Sequence, residues 1–277
     1  MSCVGYTRRR GVIAAARDGS VLQITDFKAL LKAGRPLVGS FVKTPSPHVI
    51  EVLGEAGADF LVVDREHAPI DEGAVDLAVL AGRAQGVPIL VRVAWPGQIL
   101  SALDVGATGV IVPHVSSVEA ARGAAAACRY SGGLRGFSNS PRAGRYGGVS
   151  LAPHVAAEDA RALTVVMIED AQAVDAIKDI LAVVGVDAVL LGCGDLAVSL
   201  GEQTLDSPQI RQMAARVVRA AQEAGTPVIA VAGTAASGQW LIDLGVTALV
   251  IGSDQSLMRQ GASGAYSAFH QALENLS

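Results

Sequence analysis

Five short stretches gather the residues able to move protons or hold a cation: Asp64-Arg65-Glu66-His67, Arg92 within an apolar run, Pro113-His114, Glu169-Asp170 and Gly192-Cys193-Gly194-Asp195. Glu169 and Asp195 are hard oxygen donors, and two such carboxylates suffice to bind one divalent cation while leaving positions for water and a chelating substrate. The blander alternative is loop capping, with Asp195 as N-cap of the following helix. Arg92 interrupts Ile89, Leu90, Val91 and Val93. A charge removed from water is costly unless paired, so Arg92 is expected to face an anion; an ion pair with Asp64 or Glu66 is the competing reading. His67, with Asp64 and Glu66 at hand to orient it, carries the equipment for proton transfer. His114 has a similar address but no acidic run beside it and ranks below His67, while His48, His154 and His270 read as surface or packing residues.

Two chemistries are disfavoured by what surrounds the candidates. Cys193 has no histidine and acid signature around it and reads as a small buried residue rather than a nucleophile. A Schiff-base reaction needs a lysine at the site. Of Lys28, Lys32, Lys43 and Lys178, three fall in helical stretches; only Lys43, just past the first strand, could reach substrate, and its neighbours Thr44-Pro45-Ser46-Pro47 read as an exposed loop. The turns Val231-Ala232-Gly233-Thr234 and Ile251-Gly252-Ser253-Asp254 are weak phosphate-binding candidates, so phosphorylated substrates are not expected.

What positions these residues is a repeated unit: a short β-branched run, a polar or glycine-bearing loop, and an Ala-rich amphipathic stretch. The runs are Leu37 to Phe41, Phe60 to Asp64, Ile89 to Val93, Gly109 to Val112, Thr164 to Ile168, Ala188 to Leu191, Val228 to Val231 and Ala248 to Ile251. Eight such units without an obvious linker favour a single-domain (β/α)8 TIM barrel over 26–277, behind a short N-terminal arm, 1–25, over an open doubly wound sheet, which would more often carry a glycine-rich dinucleotide fingerprint. The chemistry-bearing residues then stand at the C-terminal ends of the strands, where such barrels keep their active sites. Glu55-Ala56-Gly57-Ala58, Asp104-Val105-Gly106-Ala107 and Asp243-Leu244-Gly245-Val246 each close a helix with a glycine before the next strand. The stretch Gly132 to Gly148 is expected to be a structureless insert, and long loops are usually functional or mobile.

Composition agrees and excludes other classes. With 51% hydrophobic residues and few aromatics, the chain suits small-side-chain helices packed on buried parallel strands. A net charge of -4 gives no footprint for nucleic acid. No run reaches the roughly 18 apolar residues of a membrane span, and Arg8-Arg9-Arg10 lacks the apolar segment of a secretory signal. Three widely spaced cysteines suggest neither a disulfide framework nor a zinc cluster, and point to a reducing, cytoplasmic setting.

The chain resembles the HpcH/HpaI family of metal-dependent pyruvate aldolases from Leu37 to Asp254. The resemblance rests on Asp64-x-Glu66-His67-Ala68-Pro69, Val91-Arg92, Leu103-Asp104-Val105-Gly106-Ala107 followed by Val112-Pro113, Arg135-Gly136, Ile168-Glu169 and Gly192-x-x-Asp195-Leu196. It implies that Glu169 and Asp195 bind the metal, that Arg92 stabilises an enolate oxygen and that His67 transfers a proton. It further implies that Asp104 orients His67 from a neighbouring subunit, that backbone groups at Gly194 and Asp195 hold the substrate carboxylate, and that the enzyme is a homohexamer. Arg65, Met167 and Cys193-Gly194 depart from the family pattern and are expected to bear on the choice of acceptor.

The expected activity is a divalent-metal-dependent aldolase that reversibly cleaves a 4-hydroxy-2-oxo acid into pyruvate, or a related 2-oxo acid, and an aldehyde through a metal-stabilised enolate. Two carboxylates favour Mg or Mn; Co often substitutes in such sites, and Zn is a further candidate. A Claisen-type condensation or lyase reaction on a CoA thioester or oxaloacetate is the alternative from the same site. A catalytically silent barrel acting as a binding subunit would leave His67, Arg92, Glu169 and Asp195 without a task.

Overall fold

The structure, a computed structural model, describes residues 27–275. The expected arm, with Cys3 and Arg8-Arg9-Arg10, lies outside the described residues. The eight strands are β1 (Leu37–Val42), β2 (Phe60–Asp64), β3 (Ile89–Arg92), β4 (Gly109–Val112), β5 (Leu163–Ile168), β6 (Ala188–Leu191), β7 (Val228–Ala232) and β8 (Ala248–Ser253). All pair in parallel in sequence order, and β1 pairs with β8, with Leu37 opposite Ala248, to close the barrel. Every expected strand is present, and no boundary moves by more than two residues.

The strands read as nearly unbroken apolar runs because both faces are covered over most of the ring. Phe60 and Val62 of β2 point into the barrel with Phe41, Leu90, Ile111, Val165, Met167, Leu190, Ile229 and Val250, whereas Leu61 and Val63 point to the helices. Each fully buried side chain of this size contributes about 1.5–3 kcal/mol relative to exposure. Gly39 and Gly109 have no room for a Cβ, which would run into the main chain of Phe60 and Leu163 on the neighbouring strands. The helix Phe27–Lys32 supplies Phe27 and Leu31 to the same interior cluster, with the Phe27 and Phe60 rings 5.1 Å apart. It therefore plugs the end of the barrel remote from the candidate residues.

The three expected helix-closing glycines have the positive φ that favours glycine: 101° at Gly57, 94° at Gly106 and 102° at Gly245. The insert departs from expectation. It is not structureless: Arg142–Gly147 forms a 3-10 segment in which Arg145 and Tyr146 are left-handed, and buried Arg135 ties it to the barrel wall through Asp104 (3.1 Å) and Glu158 (3.2 Å). The last helix, Asp254–Glu274, buries its first residue and presents Met258, Tyr266, Phe269 and Leu273 to solvent. Beside it, the outer face of the β8–β1 seam leaves Val38 and Ile251 about 40% exposed (40% and 39%).

Candidate active site

The site is organised around Asp64, the last residue of β2 and wholly buried. Its Oδ1 accepts the main-chain N–H groups of Glu66 (3.1 Å) and His67 (3.2 Å), which folds the loop back over the strand end. Arg92 ends β3 in register with Asp64. It donates from Nε to Oδ1 (2.9 Å) and from Nη2 to Oδ2 (2.7 Å), lies 3.3 Å from Glu66 Oε2 through Nη1, and covers the Phe41 ring at 4.7 Å. Arg92 thus makes the ion pairs of the competing reading, with both carboxylates, and holds its guanidinium at the mouth. Burial alone would raise the Asp64 carboxyl. The hydrogen bonds and charge of Arg92, the His67 N–H and the Lys43 charge outweigh it and hold the group below its ordinary value.

Two residues ranked low from sequence stand inside this arrangement. Lys43 is not in an exposed loop: its Nζ is 3.3 Å from Asp64 Oδ2, and the side chain is only 26% exposed. Its main-chain N–H donates to Asp254 Oδ1 (2.8 Å) and that of Thr44 to Asp254 Oδ2 (3.1 Å), so the buried first residue of the last helix anchors the end of β1. His114 does have acidic neighbours, supplied by other strands. Its Nε2 is 3.0 Å from Glu66 Oε1 and its Nδ1 3.1 Å from Glu169 Oε1, while its main-chain N–H donates to Glu169 Oε1 (2.6 Å). A φ of 57° at His114 turns the chain sharply after β4 to make this possible. His67, by contrast, is 54% exposed, with Nε2 3.7 Å from Glu66 Oε2.

Glu169, just after β5, is buried, yet its Oε2 has no hydrogen-bond partner among the described residues. A Cβ at Gly192 would stand 2.9 Å from Glu169 Cβ and 3.2 Å from Oε2, so glycine there keeps the space beside the carboxylate open. Burial raises the Glu169 carboxyl; the His114 N–H and charge oppose this, and the negative charges of Asp195 and Glu66 reinforce it. Asp195 is exposed in the first turn of the helix Cys193–Leu200, whose N-cap is Gly192, so the capping role does not apply. An orphaned buried oxygen whose neighbours are further carboxylates fits a divalent cation. When ionised, Asp64, Glu66, Glu169 and Asp195 oppose, among the described residues, Arg92 and Lys43 as fixed cations, leaving the two negative charges that such an ion neutralises. Among the described residues no group of three or more His, Cys, Asp or Glu side chains can hold an ion by itself, so substrate or water has to complete the coordination.

The remaining candidates separate. Gly194 is exposed, with open space where a Cβ would be. Asp104, at the end of the helix Ile99–Asp104, bonds Arg135 and makes no hydrogen bond to His67 within the chain, among the described residues; burial raises its carboxyl against the opposing pull of Arg135. Arg65 turns away from the mouth to Glu72 (2.6 Å) and the carbonyl of Ile70 (3.2 Å). Met167 lies in the barrel interior. Burial pushes the Cys193 thiol up to about 11, in keeping with a packing role. A groove lined by residues that include Arg122, Arg129, Asp159 and Asp179 contains none of the candidate residues.

Known proteins share this architecture. The model of a family described as HpcH/HpaI aldolase/citrate lyase matches residues 37–260. A 5-keto-4-deoxy-D-glucarate aldolase of Citrobacter koseri is 34% identical over 248 residues, covering 88% of this chain and 95% of the relative. Among solved structures, an HpcH/HpaI aldolase/citrate lyase family protein from Burkholderia cenocepacia superposes with a TM-score of 0.83 at 30% identity, over 88% of this chain and 98% of the other. The citrate synthase SbnG superposes with a TM-score of 0.81 at 27% identity, over 90% and 98%.

Proposed function

The chain belongs to the HpcH/HpaI aldolase/citrate lyase family and is an aldolase-class carbon–carbon lyase, and on that premise we propose that it reversibly cleaves a 4-hydroxy-2-oxo acid into pyruvate, or a related 2-oxo acid, and an aldehyde. The observation that carries this reading is Glu169: a buried carboxylate with an unbonded oxygen, close enough to Asp195 to feel its charge. Glu169 and Asp195 would hold a divalent metal, Mg or Mn on donor type, with Co or Zn as substitutes. Bound there, the ion supplies a Lewis acid for the oxygens of the 2-oxo acid.

The chain's own residues account for the rest. The main-chain N–H groups of Gly194 and Asp195, in the first turn of a helix and so without intrahelical acceptors, receive the substrate carboxylate. In the cleavage direction His67 takes the proton from the 4-hydroxyl. The bond between the third and fourth carbons breaks, the aldehyde leaves, and the electron pair passes into the enolate, whose oxygen faces the Arg92 guanidinium. Protonation of the methylene carbon gives pyruvate, and the reverse sequence builds the bond. Asp64 keeps Arg92 aimed at the oxygen. Asp104 orients His67 across a subunit boundary in a homo-oligomer, the hexamer that the family resemblance implies. The apolar side chains that the last helix presents to solvent support such association. The setting is a single barrel domain, 26–277, behind an arm, 1–25, in a reducing cytoplasm; free Cys128 and Cys193 support the compartment, and no helix among the described residues is long and apolar enough to cross a membrane.

Deuterium exchange into the methyl group of pyruvate, followed by NMR with and without Mn or Mg, tests this directly. Metal-dependent exchange that disappears in Glu169→Ala is expected; exchange that survives chelation or that substitution refutes the reading. A Claisen-type condensation or lyase reaction on a CoA thioester or oxaloacetate is the second reading, favoured by the close superposition on a citrate synthase.

A further inference from the structure

Lys43 is a cation that the proposed reaction leaves without a task. Asp64 already accepts two bonds from Arg92 and two from the main chain, which match its roughly four lone-pair sites, and Lys43 Nζ stands 3.3 Å from Oδ2 as an ion-pair partner. Lys43 is therefore not needed to satisfy Asp64, and its ammonium carries three N–H donors beside an ion-pair partner 3.3 Å away. Its backbone is fixed by Asp254 while its side chain stays partly open to the mouth. In the closed ring β1 lies four strands from β5 in either direction, so Lys43 stands across the mouth from Glu169. Arg92 and His67 occupy the arc between them, at the ends of β3 and β2. A substrate whose 2-oxo end sits at Glu169 and Asp195, with its reacting carbons beside Arg92 and His67, points its far end at Lys43.

We propose that Lys43 is a specificity-determining residue that receives a carboxylate on the aldehyde portion of the substrate, an assignment that rests on the aldolase reading. The ends of β7 and β8 lack a phosphate-gripping glycine pattern, and the carboxylate of Asp254 fills the corner where β8 meets the last helix, so a carboxylate-tipped aldehyde is the class that fits the single ammonium. The competing role, simple charge balance beside Asp64, affects all acceptors alike and is separable on that ground.

The test condenses pyruvate with succinic semialdehyde and with butanal, a chain of the same carbon number without the acid, using the wild-type protein, Lys43→Met and Lys43→Arg. In Lys43→Met the ratio of kcat/KM for the acidic over the neutral acceptor is expected to fall about 10- to 100-fold, mainly through KM, as for loss of a charged partner at a binding site. Lys43→Arg should keep most of the wild-type ratio. A ratio unchanged in Lys43→Met, including equal loss on both acceptors, overturns the assignment while leaving the aldolase reading intact. Absence of pyruvate methyl exchange in the wild-type protein overturns the aldolase reading and the assignment with it.

Discussion

Replacing Asp64 by Asn changes one atom's charge and hydrogen-bonding sense without changing the volume at a wholly buried position. The carboxylate accepts from Arg92 Nε and Nη2, from the main chain of Glu66 and His67, and faces Lys43. An amide keeps one accepting oxygen and turns an NH2 group toward donors, so at least one guanidinium bond becomes a donor–donor contact. Removing one partner of a buried ion pair costs about 3–5 kcal/mol. The remaining amide oxygen places Asp64→Asn near the low end, and about 3 kcal/mol corresponds to a Tm lower by about 6–12 °C in a chain of this size. Arg92, no longer fixed, should also lose its stabilisation of the enolate oxygen, with pyruvate exchange slower by about 100- to 1000-fold. The pH dependence carries its own sign. The Asp64 carboxyl is held below its ordinary value of 3.8, so its contribution is fully present above that pH and is lost as pH falls through the folded value. Asn does not titrate, so the Tm gap between the two proteins should narrow between neutral pH and about pH 2.5. Thermal unfolding by circular dichroism across that range, with exchange at neutral pH, is the assay. Equal Tm values and equal exchange at neutral pH, or a gap that does not change with acid, would refute the ion-pair argument.

Two further tests address the cation site and the thiol. Gly192→Ala has a permitted backbone (φ -99°, ψ 78°) but pushes a methyl against Glu169. Mn at about 100 times its Kd should raise the wild-type Tm by about 5–10 °C, reversibly on chelation, and this variant should lose most of the rise; an undiminished rise would place the ion elsewhere. Cys193, with its thiol pushed up to about 11, should resist iodoacetamide in the native protein at neutral pH, as read by mass spectrometry of the Cys193 peptide; rapid labelling would contradict its burial.

The barrel is legible in the sequence because most strands are buried on both faces and therefore write their own apolar runs, as in Phe60-Leu61-Val62-Val63. The chemistry at the strand ends is legible where one strand supplies a whole group, as Asp64, Glu66 and His67 do. It is hidden where partners come from distant strands. His114 looks unaccompanied because its carboxylates are Glu66 and Glu169, on the segments after β2 and β5. Lys43 looks loop-like because Thr44-Pro45-Ser46-Pro47 has turn composition, while the residue that anchors it, Asp254, lies 211 positions on. Arg135 escaped as a structural residue for the same reason: Asp104 and Glu158, which hold it inside the insert, flank it from separate helices. The outward turn of Arg65 is set by Glu72 and the carbonyl of Ile70, a local pairing that charge pattern alone does not distinguish from an inward one.

The seam between β1 and β8 bears on how the protein comes into being. At about 5–20 residues per second, a ribosome needs about 10–40 s to travel the 211 residues that separate Lys43 from Asp254. Throughout that interval β1 presents an unpaired strand edge, the form of nascent chain most open to wrong partners and most dependent on chaperones. The same late closure fixes the main chain at Lys43, so translation speed across the final strand governs when a half-built ring becomes a chemically complete mouth.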